Sequence, residues 1–184
     1  IDKPFLEIDR LNPTNPYSAS KAAAEMIVKS YHTSFNLPVI VVRANNIYGI
    51  RQYPEKIIPK FILRCMKNSS LQIHGNGKNL RHYLAADDFA KGIEILSLHG
   101  VYGEAYNIAS DLELSNIEVA DLIRTQFPDK VIDIDYVTDR PFNDSRYAVN
   151  DSKLRKLGWS PKRSLLDDIP EIIDWYKANS HWYK

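Results

Sequence analysis

The chain has 184 residues, 44% of them hydrophobic and 26% charged, with a formal net charge of +1. That length can bury a substantial core, and the near-neutral balance gives no reason to expect nucleic acid or an acidic membrane surface as partner. A single cysteine, Cys65, excludes an internal disulfide and a cysteine-based zinc site, no histidine spacing suits a metal, and no apolar run approaches the roughly 20 residues that span a bilayer.

No signal peptide is visible, so the cytosol is the default compartment. The opening "IDKPFLEIDRLNPTNP" starts at Ile1 rather than methionine and reads as a loop already in progress, from which we expect the natural polypeptide to extend further toward the N-terminus. Next comes "NPYSASKAAAEMIVKSY", residues 15–31, a strongly helical run. Tyr17 and Lys21 stand at i and i+4 and project from one helical face. The small residues around them (Ser18, Ala19, Ser20, Ala22, Ala23, Ala24) let another body approach closely. Ala23, Ile27 and Tyr31 form a second apolar surface on the same helix.

The short β-branched run Val39 to Val42, between Pro38 and Gly49, is expected to be a strand buried on both faces. "PEKIIPKFILRCMKN" reads as a helix with Pro54 near its start, and Pro59 is tolerable only close to the first turn or at a break. Cys65 falls in its apolar pattern with Phe61, Ile62 and Met66, as a small core residue would. A short strand follows, then a turn at Gly75 and Gly77, a second strand around Arg81 to Leu84, and a helix N-capped near Asp87 or Asp88. "EAYNIAS" is another brief strand. Ser115 and Glu118 have capping-box spacing, ahead of an apolar face of Ile117, Ala120, Leu122 and Ile123. "DIDYVTDRPFNDSRYAVND" looks extended and polar, "DSKLRKLGW" is a short helix closed by Gly158, and the chain ends in an amphipathic helix. The basic cluster Lys153, Arg155, Lys156, Lys162 and Arg163 lacks interleaved aromatics and reads as a solvated face.

Strands alternating with helices predict an α/β fold. Only one strand reads as central and parallel, however, and no G-x-G-x-x-G turn appears anywhere. The fold is therefore expected to lack its first half.

Taken together, several motifs are familiar. "PYSASK" resembles the Y-x-x-x-K motif of the short-chain dehydrogenase/reductase superfamily. "RANNIYG" is similar to the R-x-x-N-x-Y-G segment of its extended members, which act on nucleotide sugars. "PEKIIP", "GNGKNLRHYLAADDFAKGI", "YNIAS" and "DRPFNDSRY" follow in order, and the set resembles the nucleoside-diphosphate-sugar 4,6-dehydratases over nearly the whole chain. Bacterial dehydratases acting on dTDP-glucose usually carry R-P-G-H-D where this chain has Phe142 and Asn143. Those two residues look more like the UDP-glucose dehydratase modules of plant rhamnose synthases.

The resemblance implies an NAD-binding Rossmann fold of the extended short-chain dehydrogenase type. Residues 1–52 would be the end of the cofactor domain, and 53–184 mainly a smaller nucleotide-sugar domain with segments returning to the Rossmann core. Tyr17 is implied as the base that takes the sugar 4-hydroxyl proton. Free tyrosine, with a pKa of about 10, is a poor base near neutrality, and a nearby ammonium favours the tyrosinate. Lys21 would supply that charge and anchor the NAD ribose. By motif position Asn46, Lys56, Ile57, Gln72, Ile73, His74, Arg81, Asn116, Arg140 and Asn143 match contacts to the nucleotide sugar, with Arg81 and Arg140 as candidate phosphate clamps. Ile47 stands where relatives often have an asparagine that touches the cofactor, so that role is not carried over. The elimination acids, an Asp–Glu pair in a T-D-E motif, would precede residue 1, and Glu7 is no substitute. A homodimer through the Tyr17 helix is implied. The rival readings are a 4-epimerase or decarboxylase of the same superfamily, and a non-catalytic nucleotide-sugar-binding subunit.

Overall fold

The structure is a computed structural model that describes residues 3–139 and 145–183. Helix α1 spans Pro16–Phe35. Asn15 caps it by accepting the Ser18 N–H at 2.9 Å, Ser18 Oγ accepts the Asn15 N–H at 3.1 Å, and Pro16 occupies the first turn, where its missing donor costs nothing. Asn36 closes the helix in the left-handed region. No side chain of α1 is buried.

The chain then alternates. β1 (Val41–Ala44) and β2 (Asn46–Tyr48) precede α2 (Ile57–Met66), followed by β3 (Leu71–His74), β4 (Leu80–Ala85) and α3 (Ala86–His99). β5 (Ala105–Ile108), β6 (Glu113–Ser115), α4 (Asn116–Arg124), β7 (Ile134–Val137), β8 (Arg146–Tyr147), α5 (Ser152–Arg155) and α6 (Leu165–Asn179) complete it, with a 3₁₀ turn over Ser180–Tyr183. Pairing is mostly parallel: β1 with β5, β2 with β4, β3 with β7, and β8 with β4, while β6 runs antiparallel to β4.

Several expectations need correcting. β1 is half-buried, not buried on both faces, because α1 lies against it without burying a residue; the strand buried along its length is β5, inside "EAYNIAS". Parallel strands are also more numerous than the single central one anticipated, since three-residue and four-residue strands give too short a pattern to recognise. α2 begins at Ile57, beyond Pro54, and Pro59 sits in its first turn, where the N–H would have no helical partner anyway. Asp87 and Asp88 occupy the first turn of α3 rather than its cap, which is Ala85. The Asp88 carboxylate instead accepts the N–H groups of Lys162 and Arg163, both at 2.9 Å. Pro170 lies inside α6, and the buried face of Leu165, Ile169, Ile172, Ile173 and Tyr176 holds the helix across the missing bond. The Ser115–Glu118 capping box forms as its spacing requires.

Two apolar clusters result. The larger packs α2, α4 and α6 against β3, around Phe61, Ile62, Cys65, Leu71, Ile123, Ile169 and Tyr176. The smaller joins Leu84, Leu96, Tyr106, Ile108, Leu154 and Trp159 to the half-buried Ile40, Val42 and Ala44. The basic cluster is not merely solvated: Lys153 pairs with Glu104, Arg155 with Asp111 and Asp151, and Arg163 with Asp87, Asp168 and Glu171.

Burial pushes the Cys65 thiol up to about 11 and the Tyr83 phenol up to about 12, from 9.0 and 10.0. Both groups keep their protons in the folded chain at a pH where the unfolded chain has released them. Their contribution is therefore intact below about pH 9 and is lost as pH rises toward about 12. The urea midpoint should fall between about pH 8 and about pH 10.5, and a midpoint that rises over that interval would contradict these environments.

Candidate active site

Tyr17 and Lys21 lie in the first two turns of α1, on its solvent side. Tyr17 is 75% exposed and Lys21 is also exposed. Among the described residues neither side chain is engaged in an ion pair or a side-chain hydrogen bond. Small side chains flank both, so a flat ligand could reach the helix surface between them.

A second group gathers around β3, β4 and α4. Gln72 and His74 alternate outward from β3, while Leu71 and Ile73 point into the core. Ile73 is buried, so any contact it makes with a ligand is through its backbone. His74 Nδ1 lies 3.1 Å from the Thr138 carbonyl, and since a carbonyl only accepts, Nδ1 carries the hydrogen. Gly75 and Gly77 turn the chain with φ of 61° and 70°. The positive φ favours glycine at Gly75, and a Cβ there would also crowd the Asp139 carboxylate, at 2.6 Å from Oδ2.

β4 then carries Arg81, which lies opposite Leu114 of β6 and Tyr147 of β8 and donates to the Leu80 carbonyl at 2.7 Å. Asn116 opens α4 directly after β6, and the Ile117 N–H reaches back to the Gly77 carbonyl at 3.1 Å. The Leu80 N–H donates to the Ser145 carbonyl at 2.8 Å. The Gly75–Gly77 turn, bonded to Ile117, and the Leu80–Ser145 bond thus set His74, Asn116 and Ser145 as a polar rim around that turn. Arg140, Phe142 and Asn143 lie outside the described residues. Asn46, exposed on β2, is in register with Tyr83 on the adjoining β4. Lys56 caps α2 without a side-chain bond, exposed and paired with Glu55 at 2.8 Å, and Ile57 packs partly against the larger core.

Beside this rim, Arg146 grips Glu113 through Nε at 2.7 Å and Nη2 at 3.0 Å and holds its carboxyl below the usual carboxylate range. His82, one position after Arg81 and on the other face of β4, stands 3.6 Å from the same carboxylate.

Two arrangements escaped the sequence reading. Glu25 of α1 accepts a two-point hydrogen bond from Arg43 of β1. A signal existed: Glu25 is the sole carboxylate of α1, and Arg43 is a lone charge inside the apolar run of β1. The second is the Tyr48 hydroxyl, buried at the end of β2, which donates to Asp168 Oδ2 on α6 at 2.6 Å. These residues are 120 positions apart, and no local pattern links them.

Short parallel strands flanked by helices, with the polar rim at one end of them, define the architecture of the NAD-binding Rossmann-fold dehydratases and epimerases, and solved structures agree. The dTDP-glucose 4,6-dehydratase DesIV of Streptomyces venezuelae, with NAD and TYD bound, superposes with a TM-score of 0.94 at 32% identity, over 100% of this chain and 57% of that one. The dTDP-glucose 4,6-dehydratase of Bacillus anthracis, in complex with NAD, gives 0.91 at 39% identity, over 98% and 58%. The chain belongs to the GDP-mannose 4,6 dehydratase family, whose pattern matches residues 2–172. Among curated relatives it is 46% identical over 178 residues to a trifunctional UDP-glucose 4,6-dehydratase/UDP-4-keto-6-deoxy-D-glucose 3,5-epimerase/UDP-4-keto-L-rhamnose-reductase of Arabidopsis thaliana, covering 96% of this chain and 27% of that protein. It is 44% identical over 207 residues to the dTDP-D-glucose 4,6-dehydratase of Dictyostelium discoideum, covering 94% of this chain and 48% of that protein. It thus spans about half, or less, of the length of these relatives. No helix among the described residues is long and apolar enough to cross a membrane.

Proposed function

We propose that the natural full-length polypeptide is a nucleoside-diphosphate-glucose 4,6-dehydratase, converting UDP-glucose or dTDP-glucose to the 4-keto-6-deoxy sugar nucleotide in rhamnose-type biosynthesis. The observation that carries this reading is the Tyr17–Lys21 pair: exposed, one turn apart, bracketed by small side chains and unclaimed by any other described side chain. That open helix face leaves room for the nicotinamide-ribose end of NAD, and Tyr17 and Lys21 are the residues of this chain that would hold it. Bound NAD would supply a hydride acceptor at sugar C4 and the later donor at C6.

The residues of the chain do the rest of what it contributes. Lys21, one turn along, favours Tyr17 as the phenolate, which takes the proton of the sugar 4-hydroxyl and becomes neutral. The ketone so formed at C4 acidifies the C5 proton, and loss of the C6 hydroxyl as water follows. Asn46, Arg81 and Asn116 offer amide and guanidinium donors to the diphosphate, joined by Arg140 and Asn143. Lys56 and Ile57 contact the substrate, and Gln72, the Ile73 backbone and His74 line the nucleotide. Residues 1–52 belong with the cofactor domain, to which the segments in the smaller apolar cluster return, and 53–184 form mainly the substrate domain. Phe142 and Asn143, together with the identity to the Arabidopsis protein, favour UDP-glucose. The enzyme works in the cytosol.

The test is mass analysis of the product after incubation with NAD and either sugar nucleotide. Loss of one water supports the reading. An isomer of unchanged mass would identify a 4-epimerase, and unaltered substrate a binding subunit.

The reading includes a homodimer through α1, supported by the exposure of Ile27 and Tyr31, which are 58% and 51% accessible on a helix that buries nothing. Ile27→Glu should turn a dimer into a monomer in light scattering with the melting temperature little changed. A monomeric unmutated protein would refute this part.

A further inference from the structure

Among the described residues, helix α1 rests on the body along one narrow stripe. Ser18, Ala22, Glu25, Lys29 and His32, spaced as one helical face, are its half-covered residues, apart from which it is exposed. Ser18 and Ala22 are too small to fix the helix by packing. Glu25 is different: Oε2 accepts Arg43 Nε at 2.9 Å and Oε1 accepts Arg43 Nη2 at 2.5 Å. The side chains are only 11% and 16% exposed. Arg43 spends its remaining nitrogen, Nη1, on the Glu7 carbonyl at 3.0 Å, and Glu7 Oε1 accepts the Asn107 N–H of β5 at 3.0 Å. A continuous polar line therefore runs from α1 through β1 and the 3–9 segment to β5.

A planar two-point fork fixes direction as well as distance, which a single contact or an ammonium cannot do. Arg43 stands three residues before Asn46 on the same stretch of backbone. Tyr17 lies two turns upstream of Glu25, a lever of about 12 Å, so a tilt of about 5° at the fork moves the phenol by about 1 Å. Displacements of that size are enough to cost about a hundredfold in rate.

We propose that the Glu25–Arg43 fork is the device that sets Tyr17 and Lys21 in register with Asn46, making Glu25 and Arg43 positioning residues for the reaction. This rests on the functional reading above and adds to it two residues that touch neither sugar nor cofactor. The Arg43 guanidinium also holds the Glu25 carboxyl below its usual range, so the pair stays ionised across the working range of pH.

The experiment compares Glu25→Gln, Arg43→Lys and the swapped double variant Glu25→Arg/Arg43→Glu in the natural full-length polypeptide, with Lys29→Ala as control. Lys29 touches the same carboxylate at 2.9 Å but takes no part in the fork. Each single variant should lower kcat by about 30-fold to 100-fold, with KM within twofold, as expected from misplacement rather than lost binding. The swap should recover kcat to within about tenfold of the unmutated protein, and Lys29→Ala should match it. Single variants whose kcat per folded molecule is unchanged, or whose defect lies wholly in KM, overturn the proposal. If neither single variant folds, the swap decides alone: folded with near-normal kcat it supports the fork, and folded but slow, or unfolded, it overturns it. Absence of any dehydrated product from the unmutated protein instead overturns the functional reading itself.

Discussion

Tyr17→Phe should abolish practical turnover, lowering kcat by about 10²-fold to 10⁴-fold, the range that a positioned general base contributes. The affinity for the sugar nucleotide should stay within about twofold, because in the proposed reaction the phenol oxygen would engage the reacting hydroxyl while the diphosphate and base would be held elsewhere. The separation is clean for a structural reason. Tyr17 is 75% exposed on a helix capped independently by Asn15 and Ser18, so removing one oxygen leaves the fold alone. Single-turnover kinetics together with a binding isotherm make the comparison. A kcat within tenfold of normal would remove Tyr17 from the chemistry, and a large loss of affinity with kcat preserved would make it a binding residue.

The largest effect on stability is expected at Asp168, far from that helix. Its carboxylate accepts the Tyr48 hydroxyl at 2.6 Å and is clasped by Arg163 through Nε and Nη2, both at 2.9 Å in their closer contacts. Tyr48 is 2% exposed, and burial, reinforced by Asp168, pushes its phenol far above the ordinary range. Asp168→Ala strands a buried hydroxyl and takes from Arg163 its most buried partner. The stranded hydroxyl costs about 1–3 kcal/mol. Arg163 is 34% exposed and keeps Asp87 and Glu171, so its loss adds only about 1 kcal/mol. A total of about 2–4 kcal/mol should appear as a lower urea midpoint at unchanged slope. Asp168→Asn, which keeps an acceptor for Tyr48, should cost about half as much. A loss below about 1 kcal/mol for the alanine variant would mean that β2 and α6 are joined by packing alone.

What the sequence reveals about this molecule follows the range of the interactions involved. The Asn15 start of α1, the Ser115–Glu118 box and the burial of Cys65 are all readable because each depends on residues within a turn or two of one another. The strands are harder. β2 and β8 have three and two residues, too few for a period, and exist because β4 offers both edges to partners far away in the chain. Asp87 and Asp88 mark a helix start correctly but misplace its cap, since the Asp88 carboxylate is drawn to backbone groups at 162 and 163, which no local rule can see. Of the candidate site, motif order alone nominates the residues, and the structure sets Asn116 beside the Gly75–Gly77 turn that follows His74. Ile73 differs from its neighbours because strand alternation turns it inward, a point the spacing of "LQIH" already contains. The Glu25–Arg43 fork was hidden for the opposite reason: each residue is conspicuous in its own element, but the pairing exists only once α1 lies on β1.

In the proposed reaction this chain would carry the base for an oxidation at C4 that ends in reduction at C6. That reaction is tested most directly by incubating the full-length protein with NAD and UDP-glucose deuterated at C4, then locating the label. The product should have lost one water and carry the deuterium at C6. Deuterium retained at C4 in a product that has lost no water would contradict it, and would assign Tyr17 and Lys21 to an epimerase instead.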